Sequence, residues 1–117
     1  MILYTLQAVK RLVWLGASLE DLRSWPAEAQ RNTGYQLYKI QSGMDPSDWK
    51  PMPSVGGGVQ KIRIHCDNEY RVIYLAKLAE AVYVLHAFEK KTRKTPQTAI
   101  EVACRRLHLL LSQRRRT

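Results

Sequence analysis

Arg63 and Arg71 are the residues of this sequence whose types and spacing best suit chemistry on a phosphate group. Arg63 lies in the run Val59–Cys66, where apolar and polar residues alternate as they do in a strand with one buried face. A three-residue turn at 66–68, with Asn68 in the left-handed conformation, would pair His65 with Glu69 and place Arg63 directly opposite Arg71. Like charges in that position destabilise a sheet by up to about 1 kcal/mol, so the pair favours an anion bound between them.

The turn that follows sets the alignment of a third strand-like run, Ala81–Phe88. A two-residue turn at Ala79-Glu80 would place Phe88 opposite Arg71 and put His86 on the same face. We therefore predict one face that carries Arg63, His65, Arg71, His86 and Phe88, and an opposite core face that carries Ile62, Ile64, Val72, Tyr74, Tyr83 and Leu85.

Cleavage of RNA without a metal ion makes three demands on a site. The 2′-hydroxyl must lose its proton, the charge on the phosphorane must be stabilised, and the 5′-oxygen must be protonated. Arginine suits the second demand, because its planar guanidinium holds two phosphate oxygens and stays charged. We assign this role to Arg63 and Arg71, assisted by Lys90 or Lys91.

His86 is the first candidate for the proton-transfer group on this face. Its competitors are Glu89 and a lysine whose pKa is lowered by neighbouring positive charge. A single histidine in an apolar strand such as VYVLHAF is more often a hydrogen-bonded core residue than a catalyst. Readings without catalysis also stay open for the two arginines, which could separate into solvent or pair with Glu69 or Glu89.

The positive charge of the chain is concentrated toward its C-terminal end. The sequence has 19 Lys and Arg against 10 Asp and Glu, a formal net charge of +9, and between Lys90 and Thr117 only Glu101 is acidic. Such clustering favours a polyanion-binding surface, because neutralised phosphates release their counterions. The alternative is a solvated basic helix with a frayed tail. The basic residues that we expect to bind RNA are Lys61, Arg93, Lys94, Arg105, Arg106, Arg114, Arg115 and Arg116.

Length and composition predict a single cytoplasmic domain. A chain of 117 residues is large enough for one hydrophobic core and too small for two. Its cysteines, Cys66 and Cys104, are too few for a disulfide framework, and no spacing of His, Cys and carboxylates predicts a metal or a cofactor. No run approaches 18 apolar residues, so we expect no membrane span. Residues 1–9 could form an extra edge strand or an arm, and 112–117 a basic tail.

The pattern of apolar residues and turn signals predicts an α+β fold. The predicted elements are a strand at Lys10–Gly16, helices at 18–25 and 27–42, an antiparallel meander of strands at Val59–Cys66, Tyr70–Lys77 and Ala81–Phe88, and a last helix after Thr95-Pro96. Ser18 and Asp21 resemble a capping box, and Thr95 suits the N-cap before a first-turn proline. We expect the first two helices to cover the core face of the sheet.

Several segments of the chain resemble the Gp49-like phage proteins, which are grouped with the HigB toxins in the RelE/ParE superfamily. They are WLGASLEDLRSWP, GYQLYKIQSGMDPSDWKPM, GVQKIRI, EYRVIY, AVYVLHAFEKKTRKTP and an A-x-x-R motif in the last helix. The resemblance runs from about Val13 to Leu110, and YRVIY followed by LHAFEKKT-x-KTP is its most specific part. It implies the RelE-like fold, in which two helices pack on a twisted antiparallel sheet and a further helix ends the chain.

The resemblance also implies a function. Many toxins of this superfamily are ribosome-dependent endoribonucleases that cut mRNA in the decoding site, and basic residues surround the phosphate that they cut. The matching positions here are Lys61, Arg63, Arg71, Lys90 and Lys91. This chain has Thr98 to Glu101 where RelE carries a tyrosine in its early C-terminal helix. The implied partners are the ribosome, mRNA and a cognate antitoxin, a small acidic or HigA-like helix-turn-helix protein.

Three other functions fit the same sequence. A ParE-like poison of DNA gyrase would share the fold and need no nuclease site. An accessory protein that only binds RNA or DNA would retain the basic surface and cut nothing. An inactive phage relic would bind only its antitoxin. The paired arginines, with lysines just beyond them, favour the endoribonuclease over these three.

Overall fold

The computed structural model describes residues 9–116, which form five strands and three helices. In chain order they are β1 (Arg11–Trp14), α1 (Ser18–Arg23), α2 (Ala27–Gln41), β2 (Trp49–Pro51), β3 (Val59–Cys66), β4 (Asn68–Leu75), β5 (Ala81–Lys90) and α3 (Gln97–Arg115). The α+β class is confirmed. The strand or arm predicted at 1–9 lies outside the described residues except for Val9, as does Thr117. Within the described part of the chain, no helix is both long and apolar enough to cross a membrane.

The five strands form one sheet in the order β1-β5-β4-β3-β2. The antiparallel meander of β3, β4 and β5 is as predicted, and β1 adds to it in parallel with β5. The prolines and glycines between Gly43 and Gly58 predict a loop, and the structure has β2 within it. This strand has three residues, one of them Pro51, at the edge of the sheet. A proline is tolerated there because an edge strand has a side without a partner, so a run this short looks like loop in the sequence.

Helices cover the sheet on both faces. Leu22 and Trp25 from the α1 region and Leu37 and Ile40 of α2 pack on one face, against residues such as Val72. On the other face α3 packs its apolar stripe, formed by Ala103, Leu107 and Leu110, against Ile73, Leu75, Tyr83 and Leu85. On this second face of the sheet, α3 covers the half near the turn between β4 and β5. The other half, near the β3–β4 turn, carries the polar side chains described below.

The prediction for two core residues was wrong. Ile62, Ile64, Val72 and Tyr74 do pack on the α1 and α2 face, but Tyr83 and Leu85 pack against α3. The pairing of β4 with β5 shifts register between Ile73, which faces His86, and Tyr74, which faces Val84. Leu85 is thus one extra residue in β5, and such a bulge turns the residues before it to the opposite face.

Three local backbone predictions, one at a turn and two at helix starts, also need correction. The left-handed residue between β3 and β4 is Asp67, with φ of 61°, and Asn68 already belongs to β4. Ser18 makes no cap: it is the first residue of α1, and its buried hydroxyl donates to the Val84 carbonyl at 3.4 Å. Thr95 does not cap α3 either, since Pro96 holds the N-cap position and the Thr95 hydroxyl accepts a hydrogen bond from Lys61.

Replacing Gly16 by alanine is expected to lower the free energy of unfolding by about 1–2 kcal/mol. Gly16 has φ of +55°, a conformation that a side chain disfavours, and an added Cβ would collide with the Arg106 guanidinium, which donates to the Leu85 carbonyl at 2.9 Å. Gly34→Ala is the matched control. Gly34 lies in the middle of α2 with nothing near its missing Cβ, so there alanine should stabilise by about 0.5–1 kcal/mol. Urea unfolding of both variants tests the pair, and an equal sign for the two would contradict it.

Candidate active site

Arg63 and Arg71 lie directly opposite each other on β3 and β4, as predicted. Phe88 of β5 faces Arg71 in the same row, which confirms the predicted alignment of all three strands at this level. The next row toward the β3–β4 turn holds His65, Glu69 and Lys90. The register therefore brings two guanidinium groups, an imidazole, a carboxylate and an ammonium group onto adjacent rows of one sheet face.

Each arginine is held by a carboxylate. Arg63 places Nε 2.8 Å and Nη2 2.7 Å from Oδ1 of Asp48. Arg71 donates from Nη2 to Glu69 at 3.1 Å and from Nη1 to the carbonyl of Tyr70 at 3.0 Å. Pairing with Glu69 was one of the alternatives that the sequence left open, and it occurs. The two guanidinium groups nevertheless share a face, at the end of the sheet that α3 leaves uncovered.

His65 lies between the two carboxylates and joins them. Its Nε2 is 2.6 Å from Oδ2 of Asp48, and its Nδ1 is 2.8 Å from a carboxylate oxygen of Glu69. Both ring nitrogens thus face acceptors, an arrangement that requires the protonated ring. The hydrogen bonds to Asp48 and then Glu69 raise the pKa of His65 above its ordinary value, although the side chain is 53% exposed. The same contacts with His65 are the largest cause that lowers the pKa of each carboxylate.

These five residues form a network of alternating charge, which we call the ionic network: Arg63, Asp48, His65, Glu69 and Arg71. Asp48 is the one member of the ionic network that lies outside the meander, and the edge strand β2, which directly follows Asp48, positions it. Trp49 pairs with Ile62, and the Arg63 N–H donates to the Asp48 carbonyl at 2.9 Å. The backbone of β2 therefore fixes the Asp48 carboxylate where both Arg63 and His65 can reach it.

Three lysines surround the ionic network. Burial, followed by the positive charges of Lys90, Arg71, Arg63 and Lys50, lowers the pKa of Lys61. Burial, followed by the charges of Arg71 and Arg63, lowers the pKa of Lys90. Lys50 lies beside Lys61 because β2 pairs them directly. Lys61 is 8% exposed, and its Nζ donates to the Thr95 hydroxyl at 2.9 Å. That bond ties the start of α3 to the middle of β3. With the protonated His65, six cations thus stand against two carboxylates, so this end of the sheet is a positive surface.

Arg71 is the most confined of these cations. The residue is only 4% exposed, and its Nε is buried without a hydrogen-bond partner. A buried donor left unsatisfied costs about 1–3 kcal/mol, and for a charged group the cost is larger. An anion or a water molecule that accepts from Nε–H would remove this cost.

His86 lies on the α3 side of β5, one row further from the β3–β4 turn. Its Nδ1 is 3.4 Å from Nη1 of Arg106, and its ring stacks on Phe88 with centroids 5.2 Å apart. Burial, followed by the charge of Arg106, lowers the pKa of His86 below its ordinary value. The histidine that belongs to the ionic network is therefore His65 and not His86.

The other predicted site residues are spread over the same half of the molecule and over α3. Lys91, Arg93 and Lys94 are exposed in the connection between β5 and α3. Arg105 and Arg116 are exposed on α3 or at its end, and Arg115 is exposed with Nε 3.4 Å from the Leu111 carbonyl. Arg106 is half-buried against Gly16 and β5. Arg114 forms a two-point ion pair with Glu80, with nitrogen–oxygen distances of 2.7 and 3.1 Å.

Sequence reasoning missed Asp48 as the partner of Arg63 and undervalued His65, although it named Glu69 as a possible partner of an arginine. The signal for His65 and Glu69 was present, because the predicted turn already paired them across β3 and β4. Asp48 gave no such signal, since it comes from a stretch read as loop. Among residues 9–116 no group of three or more His, Cys, Asp or Glu side chains has an arrangement that could hold a metal ion.

The arrangement combines the groups that phosphoryl chemistry uses. Guanidinium groups bind phosphate oxygens in pairs, a protonated imidazole is a general acid, and an ionised carboxylate accepts protons. In a comparison with known protein families, the family described as phage derived protein Gp49-like (DUF891) matches residues 20–108, which include the segments that carry this site. The chain belongs to this family. A search of curated proteins finds no match.

The Gp49-like match contains every residue of the ionic network as well as Lys50, Lys61 and Lys90. It also contains α2, the three strands of the meander, and β2, which lies at the edge of the sheet. It begins inside α1 and ends inside α3, so β1 and the part of α3 from Leu109 onward lie outside it. The candidate site is therefore carried by the Gp49-like part of the chain.

Proposed function

We propose that this Gp49-like protein is the toxin of a type II toxin–antitoxin pair, of the HigB-like branch of the RelE/ParE superfamily. Its activity would be metal-independent cleavage of mRNA on the ribosome. The observation that carries the proposal is the convergence of Arg63 and Arg71 with the His65 imidazolium on one sheet face, at the end near the β3–β4 turn. The α+β fold and the Gp49-like membership support it.

Arg71 would bind the phosphate that is cut. Its Nε–H is buried and has no protein acceptor, so a phosphate oxygen would accept a charge-assisted hydrogen bond from it once the side chains that cover Arg71 move aside. Arg63 donates from Nε and Nη2 to Asp48, so its Nη1–H can donate to a second phosphate oxygen. Lys61 and Lys90 add positive charge around the phosphorane. Donors fixed in this way stabilise the transition state because they need no reorganisation.

Glu69 and His65 would transfer the protons. The 2′-hydroxyl oxygen attacks phosphorus and its proton passes to the Glu69 carboxylate, while the bond from phosphorus to the 5′-oxygen breaks. His65, protonated because its pKa is raised, gives that oxygen the Nε2 proton that it otherwise donates to Asp48. The products are a 2′,3′-cyclic phosphate and a 5′-hydroxyl. The lowered pKa of Glu69 makes it ionised and a weak base, so the modest chemical rate would depend on the ribosome to orient the mRNA.

His86 is the weaker candidate for proton transfer. The lowered pKa leaves its imidazole neutral at pH 7, and its polar contact is with Arg106 rather than with either paired arginine. The first choice from the sequence is therefore replaced in this proposal by His65, and His86 stays available for binding.

The exposed basic residues of the β5–α3 connection and of α3 would anchor ribosomal RNA. They are Lys91, Arg93, Lys94, Arg105, Arg115 and Arg116. Arg106 and Arg114 are engaged with β5 and with Glu80, so they would contribute charge more than direct contacts. A cognate antitoxin, acidic or HigA-like, is part of the proposal because a free enzyme of this kind would halt growth in the cytoplasm.

The deciding experiment is induced expression of the protein in a bacterial host, followed by mapping of mRNA 5′ ends. We expect new 5′-hydroxyl ends within translated reading frames, in phase with codons, and none in messages whose start codon is removed. A matched culture that expresses the Arg71→Lys variant provides the background. Intact messages together with gyrase-trapped DNA breaks would overturn the proposal and favour a gyrase poison, and intact messages with intact DNA would favour a binding protein.

A further inference from the structure

A cavity of about 380 Å³ opens at the outer edge of β5, between that strand and the end of α1. β1 pairs with β5 only as far as Val84, and Leu15 donates to the Val84 carbonyl. Beyond the Leu85 carbonyl, which accepts from Arg106, no other strand of the described residues covers this edge of β5. The cavity is thus bordered by backbone N–H and C=O groups that a ligand can use.

Four of the nine residues that line the cavity are aromatic: Trp25, Tyr70, His86 and Phe88. Trp25 and Tyr70 lie with centroids 4.6 Å apart, and His86 and Phe88 stack at 5.2 Å. The neutral imidazole of His86 has its Nδ1 toward an Arg106 donor, so the proton resides on Nε2, which can donate to a ligand. The volume of the cavity lies within the roughly 300–1,000 Å³ range of small-molecule sites. Walls with aromatic residues suit a flat heteroaromatic group.

The rim of the cavity carries two carboxylates, Asp21 and Glu89. The Glu89 side chain is 32% exposed, and its nearest cation, Lys91, is 3.7 Å away, a loose contact that leaves the carboxylate able to accept other hydrogen bonds. Carboxylate oxygens accept two parallel N–H donors well. Of the four RNA bases, guanine presents two adjacent N–H donors on one edge.

The cavity adjoins the ionic network. Phe88 in its wall faces Arg71 across β4 and β5, and Tyr70 in its wall accepts a hydrogen bond from Arg71 through its carbonyl. Lys90 follows Glu89 directly. We propose that this cavity binds a nucleobase, with guanine preferred, of the RNA strand whose phosphate lies at Arg71. The assignment of RNA as ligand rests on the proposed function, but binding in the cavity is measurable without ribosomes.

The test uses the four ribonucleoside 3′-monophosphates as probes of the isolated protein, followed by backbone and indole N–H chemical shifts. We expect saturable shifts at His86–Glu89 and at the Trp25 indole, with guanosine 3′-monophosphate binding about tenfold more tightly than the other three. Glu89→Gln should remove that preference. Phe88→Leu should weaken all four on the order of tenfold through lost stacking. Glu101→Gln, an exposed charge change on α3, is the matched control and should change nothing.

The outcomes separate this inference from the proposed function. Normal mRNA cleavage with no saturable shift for any of the four nucleotides would overturn the base site and leave the nuclease standing. Guanine-selective binding without mRNA cleavage would keep the base site and overturn the nuclease. Shifts confined to Lys61, Arg63 and Arg71, equal for all four probes and for inorganic phosphate, would show phosphate binding only and would also overturn the base site.

Discussion

Replacing Arg71 by lysine is expected to lower the rate of mRNA cleavage on the ribosome by about a hundredfold or more, because one preorganised donor to the transition state contributes about 3 kcal/mol. Lysine keeps the positive charge beside Glu69 but loses the planar group that reaches Tyr70, Glu69 and the phosphate at once. The loss should therefore appear in kcat/KM although the net charge is unchanged. Single-turnover cleavage in a purified translation system measures it.

The control for this prediction is Arg31→Lys, the same change at an exposed position of α2 on the other face of the sheet. It should cleave as the parent does. Arg71→Ala should be at least as inactive as Arg71→Lys, and circular dichroism of both variants checks that the fold is kept. Full cleavage by a folded Arg71→Lys protein would remove Arg71 from the site.

His65→Gln is expected to reduce cleavage by about a hundredfold or more, since the variant has no proton to give to the 5′-oxygen. The contacts to Asp48 and Glu69 keep His65 protonated above its ordinary pKa of 6.5. As the proposed acid it works only when protonated, so parent activity should fall as the pH rises through this raised pKa. The residual activity of the variant should lack that fall. A pH–rate profile of single-turnover cleavage distinguishes a proton donor from a residue that only supports the fold.

The same titration gives stability a defined pH dependence. His65 has a raised pKa in the folded protein, so its stabilising contribution is complete below pH 6.5 and is lost as the pH rises through the higher folded value. Asp48 and Glu69 have lowered pKa values in the folded protein. Their stabilising contribution is therefore present above the ordinary pKa values of 3.8 and 4.5, and it is lost as the pH falls through the lower pKa values of the folded protein. Urea unfolding should thus show the ionic network stabilising most between roughly pH 5 and pH 6.5.

The exposed His108 on α3 supplies the control for His65. His108→Gln should retain both the activity and the pH dependence of stability of the parent, whereas His65→Gln should flatten the decline of stability on the alkaline side. If His65→Gln flattened the stability curve and left the pH–rate profile of cleavage intact, the residue would be structural and the proton-transfer assignment would be wrong.

Patterns along the chain were sufficient for most of the architecture. Alternation in Val59–Cys66 and a short turn placed Arg63 opposite Arg71 and His65 opposite Glu69, and the structure has these pairs. Helical spacing gave α2 within one residue of its observed end at Gln41. Such elements depend on interactions between near neighbours in sequence, and those interactions leave a periodic signal that can be read without the fold.

What only the tertiary structure decided depends on contacts between segments distant in sequence. The bulge at Leu85 turned Tyr83 and Leu85 toward α3, because the packing of two layers, rather than any local pattern, determines where a strand takes an extra residue. β2 brought Asp48 to Arg63 and His65 from 15 and 17 residues away. The sequence by itself thus determined which basic side chains share a face. Folding determined which carboxylates hold them, and left His65 rather than His86 at their centre, since side-chain hydrogen bonds across a sheet form only after its edges are in place.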